Sequence, residues 1–340
     1  MLKKCALALA VAAAVLVISA GPAFADPPNP TNYQSIITGV TPAISGLQAD
    51  IVGGDSFMSV HVQDAGEVTV LGYENEPYLR FGVNGAVEEN TRSPAVALNK
   101  SRYGATLDAQ SDAKAPPQWR VVATNGAYVW HDHRIHWMAH SLPPQLNGKS
   151  TGKVLDWTIP LLVNGQSAEI KGELYRRAPP STLPYLAIGI VGAVAGALAM
   201  RRARFAAAAL LSVVSLLAFG TSLAEQMSIP AGAGRRVSFF VIPALSALCG
   251  LIAVARPRSI YAFVLKVACA LTLPLWVFLN AKVLTNARLP GDVSPVALRI
   301  AVAAAAAAVI AFAAVDLPRE LRAAGVRNAA LRETARLRVE

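Results

Sequence analysis

Beyond the first 25 residues, the pattern of apolar positions changes once along this chain. Up to about residue 175, short apolar stretches alternate with polar residues. After the turn-rich Arg176-Arg177-Ala178-Pro179-Pro180-Ser181, the pattern becomes long runs of Ala, Leu, Val and Ile. Alternation puts successive side chains on opposite faces of a strand, and here it predicts strands over 35–40, 47–52, 57–62, 67–71, 78–82, 128–131, 154–163 and 167–175. Short strands recurring between turn signals imply an all-β, antiparallel sandwich of the immunoglobulin-like kind. Residues 26–178 are enough chain to bury its core.

The clearest local unit is a hairpin at Asn164-Gly165, because both residue types accept the positive φ angles of a type I′ turn. Its return strand predicts Ala168, Ile170, Gly172 and Leu174 on one face and Glu169, Lys171, Glu173 and Tyr175 on the other. Pro160 has no N–H to give a sheet and must face an edge or a bulge. Between residues 84 and 119 the alternation weakens. That stretch reads as a long excursion through Glu88-Glu89-Asn90, Ser93-Pro94-Ala95 and Asn99-Lys100-Ser101-Arg102-Tyr103-Gly104.

The second half predicts five spans, at 183–200, 205–224, 239–255, 261–279 and 296–315, each near the ~20 apolar residues that a bilayer crossing needs. Residues 179–317 thus read as an all-α bundle of five transmembrane helices, with a basic tail at 318–340. At the other end, Lys3 and Lys4, an apolar run and Ala23-Phe24-Ala25 read as a signal peptide over residues 1–25. The β domain is then extracytoplasmic and the chain a multi-pass protein of the cell membrane. Arg201, Arg202, Arg204, Arg256, Arg258 and the arginine-rich tail fall on the cytoplasmic side. Arg235, Arg236, Lys282 and Arg288 fall outside, which weakens the asymmetry without reversing it. Few ionisable residues enter the spans. Lys266 and Arg299 lie near span ends, where they can snorkel, and Glu225 and Gln226 read as interfacial. Gly192 and Gly196 form a small-residue pair suited to close helix contact, and Pro243 and Pro274 can kink their helices.

The net charge of +10 suggests nucleic acid until it is divided. Residues 26–177 carry twelve Lys and Arg against fifteen Asp and Glu, so the excess belongs to the membrane half and its partner is the lipid bilayer. No nucleic-acid partner is expected. Of the three cysteines, Cys5 lies in the signal segment and Cys249 and Cys269 in apolar spans, so no disulfide staples the β domain.

Candidate chemistry is concentrated in one place. Four of the five histidines fall within Trp130-His131-Asp132-His133-Arg134-Ile135-His136-Trp137-Met138-Ala139-His140. Neutral imidazole is the commonest ligand for zinc and copper, and the Met138 thioether suits copper(I). The candidate metal ligands are therefore His131, His133, His136, Met138 and His140, with Met58 and His61 as further candidates. In a strand His131 and His133 share a face; in a helix His133, His136 and His140 align. Hydrolase patterns fit imperfectly. Trp137 stands where a zinc peptidase has its glutamate, and Ile135 stands at the aspartate of a His-x-His-x-Asp-His pattern. The competing account makes Asp132 and Arg134 the centre of a buried hydrogen-bonded and cation–π network. The leading function is a membrane-anchored extracytoplasmic binding protein, for copper, zinc or an envelope component. The alternative is a structural or assembly factor holding a partner membrane protein, and a metal-dependent hydrolase comes third.

Gly72-Tyr73-Glu74-Asn75-Glu76-Pro77-Tyr78-Leu79-Arg80-Phe81, Ser93-Pro94-Ala95 and the segment from Trp130 to Met138 together resemble a group of exported polytopic membrane proteins of high-GC Gram-positive bacteria. The resemblance implies this architecture and supplies no catalytic residue. The layout is also similar to copper-resistance proteins that join an exported β-sandwich to a membrane domain. Those begin with a histidine at the mature N-terminus, where Asp26-Pro27-Pro28 stands here.

Overall fold

The structure is a computed structural model that describes residues 27–257 and 260–323. The expected signal segment, Arg258 and the tail beyond 323 lie outside the described residues. Ten strands come first: β1 (Tyr33–Thr41), β2 (Leu47–Val52), β3 (Phe57–Val62), β4 (Val68–Leu71), β5 (Pro77–Phe81), β6 (Val87–Asn90), β7 (Trp119–Ala123), β8 (Ala127–Trp130), β9 (Gly152–Val163) and β10 (Gln166–Arg176). They form two antiparallel sheets, one ordered β1-β10-β9-β4-β5-β6-β7 and one ordered β2-β3-β8. Met58, Val60 and Trp130 of the small sheet share one buried core with Val70, Leu79, Phe81, Ile159, Ile170 and Leu174 of the large one. The domain is therefore the expected sandwich, two sheets closing on one apolar layer.

Local chemistry explains the strongest elements. Asn164 and Gly165 hold φ of 49° and 80°, so β9 and β10 form the expected hairpin. Ala168, Ile170, Gly172 and Leu174 are the buried face. Gly172 must lack a side chain, because a Cβ there would fall inside the ring of Trp157. Pairing of β4 with β9 stops at Leu161, one residue before Pro160, so the proline lies where the ladder has ended.

The stretch from 84 to 119 corrects the expectation of an unstructured excursion. It contains β6, the start of β7 and a short helix α1 (Pro94–Leu98) capped by the Ser93 hydroxyl, which accepts from Ala95 N at 3.2 Å. Strand β6 is polar in sequence because its buried polar residues are paired: Asn90 donates to Pro77 O at 2.8 Å and accepts from Arg92 N and Gln118 N.

Five helices follow, α2 (Leu183–Arg202), α3 (Ala206–Ser228), α4 (Ser238–Ala255), α5 (Ile260–Leu279) and α6 (Pro295–Ala311), the last continued by a π-helical turn over Phe312–Asp316. All five are long and apolar enough to cross a membrane. Leu211, Leu273, Trp276, Leu298 and Phe312 form their common core. The expected glycine pair is used in packing: a Cβ on Gly196 would stand 2.9 Å from Leu210 Cδ2, and one on Gly192 would stand 3.2 Å from Ala307 Cβ.

The structure corrects the expectation that Lys266 and Arg299 snorkel outward from the span ends. Glu225, Gln226, Lys266 and Arg299 are all buried. Arg299 donates to Val283 O (2.8 Å) and Asn286 O (2.9 Å), covering carbonyls of the link between α5 and α6. Lys266 donates to Asp316 (2.5 Å) and Glu320 (2.8 Å) at the bundle end remote from the β domain. Lys266 and Arg299 thus find their partners within the protein, so neither needs to reach the surface.

The two halves meet through backbone and apolar contacts. Thr31 and Arg288 exchange both backbone hydrogen bonds, at 3.0 and 2.9 Å, and Ala287 N donates to Asn32 Oδ1. Arg236 donates to Asn29 Oδ1 at 2.7 Å. Phe57, Ile229 and Ala233 form a small apolar cluster across the same junction, with Val52 and Val129 against it.

Candidate functional site

The histidine segment begins where β8 ends. The Asp132 side chain accepts from Arg134 N at 3.1 Å and caps a single 3-10 turn over His133–Ile135. Ile135, fully buried, anchors that turn in the sandwich core. The chain is neither strand nor α-helix here, so neither expected alignment of the imidazoles holds. His131 and His133 lie on different supports, and His133, His136 and His140 do not stack on one helical face.

Asp132 is the best-satisfied side chain of the segment. It is fully buried and accepts from Trp130 Nε1 (3.0 Å), from Arg134 Nε (2.8 Å) and from Arg134 Nη2 (2.7 Å), besides the backbone of Arg134. Burial pushes its carboxyl upward, but the Arg134 charge and these bonds outweigh burial and hold it below the ordinary value. Arg134 also donates to Leu71 O (3.1 Å) and lies 5.1 Å from the Tyr73 ring centre.

Tyr73 is a residue that sequence reasoning did not single out. Its hydroxyl donates to Asn99 Oδ1 (2.5 Å) and accepts from His133 N (2.9 Å). Nearby, Ser93 donates to Glu76 Oε1 (2.5 Å) and the backbone of Glu74 donates to Glu76 Oε2 (2.9 Å). The three sequence segments that carry the resemblance thus meet in one polar cluster. Asp55 and Arg102 were also missed. They form a bidentate pair at 2.5 and 3.1 Å that ties the 99–104 segment to the turn before β3.

The histidines divide. His131 is buried, with Nδ1 2.6 Å from Ser56 O and its ring stacked on Phe57. His133 places Nε2 3.0 Å from Ser101 O, and its ring lies 5.3 Å from that of His136, nearly perpendicular to it. His136 is 1% exposed; its Nδ1 faces Trp137 O at 3.3 Å, while its Nε2 is sealed from solvent with no hydrogen-bond partner. Burial, reinforced by the charge of Arg102, pushes the His136 imidazole down to about 3, so it stays neutral at ordinary pH. His140 lies exposed against Tyr103. Met58 belongs to the sandwich core, and His61 faces Ala127 in the β3–β8 ladder; neither joins the cluster.

A cavity of about 520 Å³ opens beside this turn, walled by His133, His136, Trp137, Met138, Asp156 and Trp157. Among the described residues, no three His, Cys, Asp or Glu side chains are grouped so as to hold a metal ion. The donors that share the cavity wall include the two imidazoles, the Met138 thioether and the Asp156 carboxylate, which is paired with Lys153 at 2.6 Å. The fold and site define a two-part protein, a β-sandwich carrying a histidine-lined cavity and seated on five membrane-type helices. No family model, curated protein or solved structure matches the chain.

Proposed function

We propose that this chain is a membrane-anchored extracytoplasmic binding protein that takes up copper(I) in the cavity beside the 3-10 turn, through His133, His136 and Met138. In this reading the signal segment directs export, the β domain stands outside the cell membrane, and the arginine-rich ends of the spans stay in the cytoplasm. The observation that carries it is the buried, neutral His136 whose Nε2 has no partner. Carbonyl groups fix the other imidazole nitrogens: Ser101 O takes the Nε2 proton of His133 and Trp137 O faces Nδ1 of His136. One lone pair per ring then remains, as in metal sites whose second shell orients each imidazole. The thioether of Met138 favours copper(I) over zinc.

Copper(I) titration against a competing chelator, on the full chain in detergent, tests the reading. The expected result is one bound copper(I), weakened about ten-fold or more by His136→Gln and by Met138→Leu and unchanged by His61→Ala. Absence of binding at micromolar copper, or binding indifferent to both site substitutions, ends it.

The structural reading applies to a different part of the same segment. Trp130, Asp132 and Arg134 direct their hydrogen bonds into the fold, so they are assigned to holding the turn that presents the cavity. A hydrolytic centre is not proposed, because the Asp132 carboxylate beside the imidazoles is committed to Arg134.

A further inference from the structure

Strand β9 has a neighbour along its length on one side only. β10 pairs with it without a register shift from Leu155 to Val163, whereas β4 meets only Leu161, Leu162 and Val163. Pairs in an antiparallel ladder alternate between those that exchange hydrogen bonds and those that turn their N–H and C=O groups outward. The two-residue turn at Asn164-Gly165 closes on Val163 and Gln166 as a bonded pair, so the outward positions of β9 are Leu162, Pro160, Thr158 and Asp156. Two observations agree with this. Asn164, next in the same series, donates its N–H to Glu67 O at 2.9 Å on the β4 side, and Pro160, which has no N–H to give β10, stands at one of these positions.

Leu162 directs its outward groups to Thr69 of β4. Thr158 and Asp156 have no such strand beside them. Among the described residues, no loop, turn or side chain bonds to the backbone N–H or C=O of either. Beyond the β4 pairing, Leu71 O is taken at 3.1 Å by Arg134 of the 3-10 turn, which leaves this stretch of β9 uncovered. The uncovered stretch, Leu155 to Thr158, lines the cavity together with His136, Trp137 and Met138 of the histidine segment. The site thus presents N–H and C=O groups in alternation, on residues roughly 7 Å apart along the strand. An extended peptide carries the same groups at the same repeat, and the cavity volume of about 520 Å³ lies in the range of ligand sites.

We propose that the cavity binds an extended peptide segment of another protein, added as a short antiparallel strand to β9 at Asp156 and Thr158. One apolar side chain of the segment, opposite Trp157, enters the cavity among Leu155, Trp137 and Met138. Main-chain pairing supplies the affinity, and the apolar wall selects the side chain. Antiparallel addition continues the pattern of the sheet, in which every strand pair is antiparallel. The proposal does not rest on copper binding, because its hydrogen bonds come from the β9 backbone and not from the imidazoles.

Fluorescence anisotropy tests this on the full chain in detergent with a metal chelator present, using labelled acetyl-Thr-Val-Met-Val-Thr-amide as the probe. The expected result is saturable binding that Thr158→Pro weakens about ten-fold or more and Thr158→Ala leaves unchanged. N-methylation of both valines, whose N–H groups face β9 when methionine lies opposite Trp157, is expected to weaken binding equally, and N-methylation of the methionine to spare it. Thr158→Pro removes an N–H that the β9–β10 ladder does not use, as Pro160 already does, so the variant is expected to fold with an unchanged thermal midpoint. Absence of saturable binding at millimolar peptide, or binding that withstands Thr158→Pro or methylation of the valines, would overturn the proposal. So would a Thr158→Pro chain that does not fold, since its N–H would then belong to the ladder. A dimer that Thr158→Pro dissociates would place a second copy of the chain on this edge and overturn it as well.

Discussion

The imidazole of His131 lies over the ring of Phe57 with centroids 3.9 Å apart and planes inclined by 22°. The same phenylalanine belongs to the apolar cluster with Ile229 at the end of α3. One fully buried side chain therefore joins the histidine segment to the helix bundle.

Phe57→Ala is expected to cost about 3–5 kcal/mol, the usual range for emptying a buried aromatic site. It should also speed hydrogen exchange in the segment around Thr31 and Asn32, which is paired with the loop before α6. Thermal unfolding in detergent with exchange mass spectrometry measures both. Unchanged exchange in that segment would show that the junction does not depend on Phe57.

Asp132→Ala leaves Arg134 buried without its counter-charge, and the expected loss is about 3–5 kcal/mol. The pH dependence has a definite sign. The folded-state pKa of Asp132 lies below the ordinary 3.8, so its contribution is fully present above that value. It is lost as pH falls from there through the folded value. An acid-unfolding series in which Asp132→Asn keeps the wild-type slope below pH 3.8 would contradict this.

His136 acts over a different window. Its folded value is about 3 against an ordinary 6.5, so the unfolded chain binds a proton that the folded chain refuses between those limits. Stability is expected to fall with acidification from about 6.5 toward 3, and His136→Gln should flatten that limb. Chemical-denaturation midpoints measured across the range provide the check.

Lys266→Met strands Asp316 and Glu320 at the bundle end remote from the β domain, with an expected cost of about 3–5 kcal/mol. Replacing all three together, as Lys266→Met, Asp316→Leu and Glu320→Gln, is expected to recover most of that loss. Thermal unfolding of the single and triple variants distinguishes a charge effect from simple misfolding. A triple variant no better than the single one would refute the pairing.

The hairpin at Asn164-Gly165 was legible because its cause is local: two residues tolerate the backbone angles, and the flanking alternation sets the register. The five helices were legible for a similar reason, since length and apolarity alone define them. Strand β6 was not, because Glu89 and Asn90 are buried beside partners such as Arg120 and Pro77 that lie distant in sequence. The candidate site was half legible. Histidine clustering identified the segment, but the Asp132 cap bends it into a turn that the spacing of imidazoles does not encode. Tyr73 and Arg102 stand in segments that the sequence marks, but their roles, like that of Asp55, depend on partners distant along the chain.

The sequence by itself determined the architecture, an alternating β half and an apolar helical half, because residue periodicity and length follow from the geometry of one strand or one helix. Only the tertiary structure decided which imidazoles enter the fold and which line the cavity, and that Glu225, Lys266 and Arg299 face inward. Those outcomes depend on free energies of burial and pairing between residues far apart along the chain.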